Sequence, residues 1–208
     1  MSEVYFIADL HFGHKNILSY DNRPFNTTEE QDQTIIDRWN DKVGLFDEVW
    51  ILGDISWYNV TKTIEILNQL NGEKRLCCGN HDDKFLKNKD FRNCFAEITN
   101  YKELKIFGID TGVILSHYPI PCFKNHYYGW YHLYGHVHNS FEWNMMEKTK
   151  QEMTELYTVP CNMFNVGCML PYMDFTPKTL KEIENTYEMW KEWDSLTRNK
   201  NKRKKEIQ

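Results

Sequence analysis

Five short segments carry most of the side chains that could do chemistry. They are Asp9 with His11, Gly53 with Asp54, the run Gly79, Asn80, His81 and Asp82, then Ser116 with His117, and Gly135 with His136 and His138. Imidazole, carboxylate and carboxamide donors without a thiolate suit borderline divalent metals such as Mn, Fe or Zn and disfavour a cysteine-type structural zinc site. Taken singly, Asp9 with His11 reads more readily as a turn residue beside a hydrogen-bonded histidine and Gly53 with Asp54 as an ordinary turn, whereas the Gly79–Asp82 and Gly135–His138 runs are stronger signals. Their number exceeds the needs of one ion, and an aspartate can bridge two ions through its two oxygens. With only Asp9 and Asp54 as anionic ligands, two divalent ions would keep a net positive charge. That charge is able to attract a phosphate and to acidify a shared water.

The elements that must position these residues are short apolar runs. Val4–Ala8 ends at Asp9, Glu48–Leu52 ends at Gly53, and Lys74–Cys78 ends at Gly79. Each predicts a strand buried on both faces. Between them, Thr28 and the acidic residues after it offer capping chemistry ahead of Ile35, Ile36, Trp39 and Val43 at helical spacing. The stretch from Asn59 buries Ile64, Leu67 and Leu70 and stops at Gly72. Strand and helix therefore alternate in the first half, the mark of βαβ units. The second half reads as strands over Ile98–Ile106, Gly112–Ser116, Tyr131–Tyr134 and Met163–Gly167, with a loop over Pro119–Trp130. Helical signal returns only over Lys178–Trp193. In an open α/β sheet, loops at the strand ends converge over one edge, which is where the five segments fall.

Length and composition fit one domain over residues 1–196, followed by a basic tail over 197–208. The chain has 208 residues, of which 41% are hydrophobic and 26% charged, and a formal charge of −5. That charge argues against a surface that binds nucleic acid throughout. The basic run from Arg198 to Lys205 reads as a solvated helix end, with contact to RNA or DNA as its alternative. The six cysteines form no C-x-x-C pair and no signal-peptide pattern precedes Val4, so reduced thiols in a cytoplasmic protein are expected. No apolar run is long enough for a membrane helix.

In order and spacing, Asp9 and His11, Gly53 and Asp54, Gly79 through Asp82, His117, and Gly135, His136 and His138 resemble the motifs of the calcineurin-like metallophosphoesterases. The resemblance spans residues 4 to about 138 by motif and extends to Asn165–Gly167 and Pro177–Ile183. It implies a four-layer α/β/β/α sandwich of two mixed β-sheets flanked by helices. It implies two divalent metal ions, Mn, Fe or Zn with manganese first. Asp9, His11 and His138 would hold one ion, Asn80, His117 and His136 the other, and Asp54 would bridge them. The expected reaction is hydrolysis of a phosphodiester or phosphomonoester by attack of a metal-bound hydroxide. His81 would serve the leaving oxygen, and Asp82 is the neighbour that orients it.

The run Ile55, Ser56 and Trp57 after Asp54 departs from the Asp-Arg-Gly run of the Ser/Thr protein phosphatases. The stretch from Asp9 to Ile17, with Arg23, Pro24 and Phe25, resembles small bacterial and phage members instead. His14 and Arg23 are candidate phosphate contacts, with a loop hydrogen bond as the alternative for each, and Asn80 would also face the substrate. His126 and His132 flank Tyr127, Tyr128, Trp130 and Tyr131, which would either stack a nucleobase or pack as a core or lid. Trp57 and Tyr58 pose the same choice. The expected partner is a small phosphorylated, nucleotide-like substrate. Alternatives are a nuclease acting on short RNA or DNA and a metal-binding scaffold without turnover.

Overall fold

Strands β1 (Val4–Ile7), β2 (Glu48–Ile51) and β3 (Glu73–Cys77) form where the buried apolar runs predict them, paired in parallel. A computed structural model describes residues 2–206, with side chains described for residues 2–197. The connections are α1 (Ile17–Tyr20), α2 (Thr28–Lys42) and α3 (Val60–Leu67), then α4 (Asp83–Leu86) and α5 (Lys89–Arg92) ahead of β4 (Glu97–Thr99). The remaining elements are β5 (Lys102–Lys105), β6 (Gly112–Leu115), β7 (Tyr131–Tyr134), α6 (Phe141–Glu155), β8 (Asn162–Asn165), β9 (Lys178–Thr179) and α7 (Leu180–Glu206).

Two mixed sheets flanked by helices result. One has the order β4-β3-β2-β1-β9, parallel except for β9, and the other has the order β5-β6-β7-β8, parallel except for β5. Trp39, Trp50, Phe6, Tyr134, Tyr187 and Leu115 are fully buried within one core. The sheets meet where β1 ends. Ala8 N–H donates to Val166 O at 2.8 Å and Cys168 N–H donates to Ala8 O at 2.8 Å. This places Asp9 at the seam between the sheets.

The helix over Thr28–Lys42 is capped one residue earlier than its sequence suggests, because the Thr27 side chain accepts from Glu30 N–H. The continuous strand expected over Ile98–Ile106 is two strands in two different sheets. The Thr99 hydroxyl donates to Tyr101 O at 2.8 Å and accepts from Tyr101 N–H, and this local turn breaks the run. The helix α6 is absent from the sequence-based expectation. Among its fully described residues only Trp143 is buried, so no apolar period announces it. Its start is marked by Ser140, whose hydroxyl accepts from Glu142 N–H at 3.1 Å. The helix α7 runs across the boundary expected at residue 196. The side chains of the basic run from Arg198 to Lys205 lie outside the described residues. No described helix is long and apolar enough to cross a membrane.

Candidate metal centre

The strand ends are bent sharply at the candidate ligands. Asp9, His11, Asp54, His136 and His138 have φ of 56°, 51°, 56°, 70° and 47°, in the left-handed region that non-glycine residues rarely adopt. Each such residue stores about 1 kcal/mol or more, tolerated where the surroundings dictate the backbone. Here the loops dictate it for one another: Asp9 N–H donates to Gly53 O, His11 N–H to Asp54 O, and Gly135 N–H to His117 O. Gly79 permits the closest approach, since a Cβ there would stand 2.3 Å from Asp54 Oδ1.

The bends turn the side chains toward one another. Single ligand atoms of Asp9, His11, Asp54 and His138 all lie within 4.8 Å of each other, a cluster able to hold a metal ion. The Nε2 atoms of His11 and His138 are 3.0 Å apart, and His138 Nε2 is 3.7 Å from Asp9 Oδ1. A second convergence lies beside it: Asn80 Oδ1 is 3.1 Å from both His117 Nε2 and His136 Nδ1. Asp54 Oδ2 stands between the two groups, 3.8 Å from His11 Nε2 and 3.7 Å from His117 Nε2. Its other oxygen, Oδ1, accepts from His81 N–H at 3.0 Å.

The donor chemistry fits a divalent cation. Asp9 and Asp54 are buried carboxylates, and among the described residues their charged partners within 4.0 Å are histidines alone. A buried carboxylate without a fixed cation is unfavourable, and metal coordination is one standard remedy. Burial raises the Asp9 carboxyl above its ordinary range, against the pull of His138 and His117. It also lowers His11 well below the ordinary imidazole value, with His138 adding to the effect, which leaves a neutral ring with a lone pair to donate. Ring orientation is set from outside. Leu52 O is 2.8 Å from His117 Nδ1, and the Asp21 carboxylate lies 2.9 Å from His138 Nδ1. A carboxylate or carbonyl behind an imidazole is the usual support for a metal-binding histidine.

Other candidates fall in different places. His81 is at the mouth, its side chain 42% exposed, with Nε2 3.9 Å from Asp54 Oδ2. Asp82 does not orient the His81 ring. It is buried and accepts from Gly79, Asp54 and Ile55 N–H groups at 2.8, 2.9 and 3.0 Å, so it shapes the Asp54 turn. Burial pushes its carboxyl up to about 6, against those three hydrogen bonds. His14 lines the cleft, stacked on Trp57. Arg23 does not face the cleft: its guanidinium donates to Asp21, Leu10 O, Gln31 and Asp9 O at 2.9–3.1 Å. A buried planar fork with its donors so engaged supports the Asp9 loop and the Asp21 carboxylate. Asp21 itself carried no motif or spacing that would have singled it out. Burial would raise its carboxyl, but His138 and Arg23 hold it below the usual range. Tyr127 to Tyr131 are not among the residues lining the cleft, whereas Trp57 is.

No family model matches the chain. The uncharacterized protein MJ1445 of Methanocaldococcus jannaschii is 38% identical over 140 residues, covering 66% of this chain and 70% of that protein. The gene 66 protein of Mycobacterium phage L5 is 34% identical over 134 residues, 57% of this chain and 64% of its own length. The crystal structure of AQ665, a protein of unknown function from Aquifex aeolicus, aligns with a TM-score of 0.65 at 24% identity. It covers 89% of this chain and 99% of that one, a likeness of fold.

Proposed function

This chain belongs to one family with the uncharacterized archaeal protein MJ1445, and we propose that it is a metal-dependent hydrolase of phosphoric esters, of the calcineurin-like metallophosphoesterase type. One observation carries the reading. Asp54 Oδ2 lies 3.8 Å from His11 Nε2 and 3.7 Å from His117 Nε2, between two converging donor sets. Asp9, His11 and His138 would hold one divalent ion, Asn80, His117 and His136 a second, and Asp54 both. The donor types suit Mn, Fe or Zn, with Mn favoured. Such ions supply Lewis acidity and neutralise phosphoryl charge.

The chain's own residues complete the site. His81 stands at the mouth, where an imidazole is able to hold the proton that the leaving oxygen requires. The backbone N–H of His81 fixes Asp54 Oδ1 and leaves Oδ2 facing the imidazoles. Asp82 is a positioning residue, acting through the Asp54 turn. The substrate is a small phosphorylated molecule that fits a cleft of about 360 Å³. The test is turnover of bis-p-nitrophenyl phosphate before and after metal removal, with metal content measured in parallel. Stripped protein and Asp54→Asn should both fall to background, and added Mn should restore only the former. Full turnover by either one without metal overturns the proposal.

A further inference from the structure

Beside the ligand cluster the cleft continues into a wall that hydrolysis alone does not need. His14, Asn16, Ile17, Tyr20 and Trp57 line it. The His14 and Trp57 rings are stacked, with centroids 3.9 Å apart and planes at 14°. Trp57 nevertheless stays 36% exposed, and Tyr20, edge-on to His14 at 6.4 Å, is 70% exposed. Ile17 is buried at the base.

The wall is built rather than incidental. Gly13 N–H donates to both oxygens of Asp32, at 3.2 and 3.1 Å. Gly13 has φ of 71°, and a Cβ there would stand 2.4 Å from the Tyr58 ring, so glycine is what lets the two loops close. Trp57 N–H donates to Phe12 O at 2.8 Å. The loop that carries His14 and the loop that carries Trp57 are thus held together. The indole lies 5.1 Å from the ring of the candidate ligand His11 and 4.2 Å from the His81 ring at the mouth, with the exposed Lys84 ammonium 5.1 Å from its own centroid.

We infer that the substrate is a nucleoside phosphoester whose base stacks on the His14–Trp57 wall, with Tyr20 on its outer side. The inference rests on the phosphoester reading and names the part of the substrate that stays bound at the wall. Aromatic side chains bind bases of any sequence through their faces, so the wall selects for a base and not for a particular one.

Two esters that share a leaving group isolate the wall: thymidine 5′-(p-nitrophenyl phosphate) and methyl p-nitrophenyl phosphate. The metal-loaded protein should favour the thymidine ester by about tenfold or more in kcat/KM, the effect of one base–aromatic stack. Trp57→Ala should bring that ratio close to one, and Trp57→Phe should keep most of it. Equal use of both esters by the wild type, or an equal fall in both with Trp57→Ala, overturns the inference. A second arm needs neither metal nor turnover. In metal-free protein, thymidine 5′-monophosphate should shift the His14 ring resonances in NMR spectra and ribose 5-phosphate should not. If neither ester is hydrolysed, the phosphoester reading fails while this arm still decides the wall. Identical shifts with both ligands, or none with either, would sink it.

Discussion

The loops at the strand ends and the segment from Pro119 to His132 use the same residue types for opposite ends. Both are rich in histidine and aromatic residues, and both adjoin β6 or β7. At the strand end, His117 has Leu52 O at its Nδ1 and turns Nε2 toward Asn80 and Asp54. Within β7, His132 has both ring nitrogens engaged, Nδ1 with Ile114 O at 3.1 Å and Nε2 with Ile120 N–H at 3.0 Å. His126 packs on Phe123 and Tyr127, while Tyr127 and Tyr128 are 67% and 78% exposed. His117 and His138 present one nitrogen fixed by the protein while the other converges with its neighbours. With both nitrogens fixed, His132 is a core residue that closes hydrogen bonds.

Substituting the same residue at the two positions breaks or sharpens that contrast. His117→Gln should lower turnover of bis-p-nitrophenyl phosphate by about 100-fold or more, with metal content reduced, since even supporting groups of a metal site are worth 10- to 100-fold. His132→Gln should instead lower stability by roughly 2 kcal/mol through lost packing and hydrogen bonds, and leave turnover of the folded protein within about twofold. Urea denaturation and steady-state kinetics on both variants decide it. A His132→Gln protein that is fully folded yet inactive would mean that the two regions are not separate.

Protonation of the same residue gives an effect of comparable size. Burial drives His132 down to about 4 from an ordinary 6.5, against the hydrogen bond its Nδ1 donates to Ile114 O. The folded form therefore resists the proton more than the unfolded chain does. Stability from this group is full above about pH 6.5 and is lost as pH falls from there to about 4, in total about 3 kcal/mol. Between pH 7 and pH 4, metal-free wild type should lose roughly that much more stability than His132→Gln. Groups common to both proteins cancel in the difference. Parallel stability curves for the two proteins would show that His132 is not the group responsible.

The same contrast explains what the sequence allowed. Strand ends are legible because apolar runs stop abruptly at Asp9, Gly53 and Gly79, and the alternation of elements marks the βαβ half, whereas the second sheet was expected from the family resemblance alone. The direction of a carboxylate is not legible. Asp82 follows His81 in sequence, yet its oxygens satisfy three backbone N–H groups of neighbouring turns. Arg23 looked like a phosphate contact because guanidinium suits phosphate, but buried carbonyls and Asp21 present the same acceptor chemistry from inside. Asp21 was invisible because its link to His138 joins residues 117 positions apart. The helix α6 escaped because Trp143 alone of its residues is buried, which leaves no apolar period to read.

The smallest expected effect is also the one that keeps the contrast honest. Tyr127 and Tyr128 follow the left-handed Asn125 and precede Gly129, whose φ of 74° turns the chain back toward β7. Their rings project from that turn, and neither lines the cleft. Tyr128→Ala should therefore change stability by no more than about 0.5 kcal/mol, as exposed substitutions usually do. It should also leave the thymidine-to-methyl ester ratio untouched, where Trp57→Ala collapses it. If Tyr128→Ala lowered that ratio as far as Trp57→Ala does, the exposed turn would have to reach the cleft when substrate binds. The base would then be recognised by a closing loop and not by the fixed wall of His14 and Trp57.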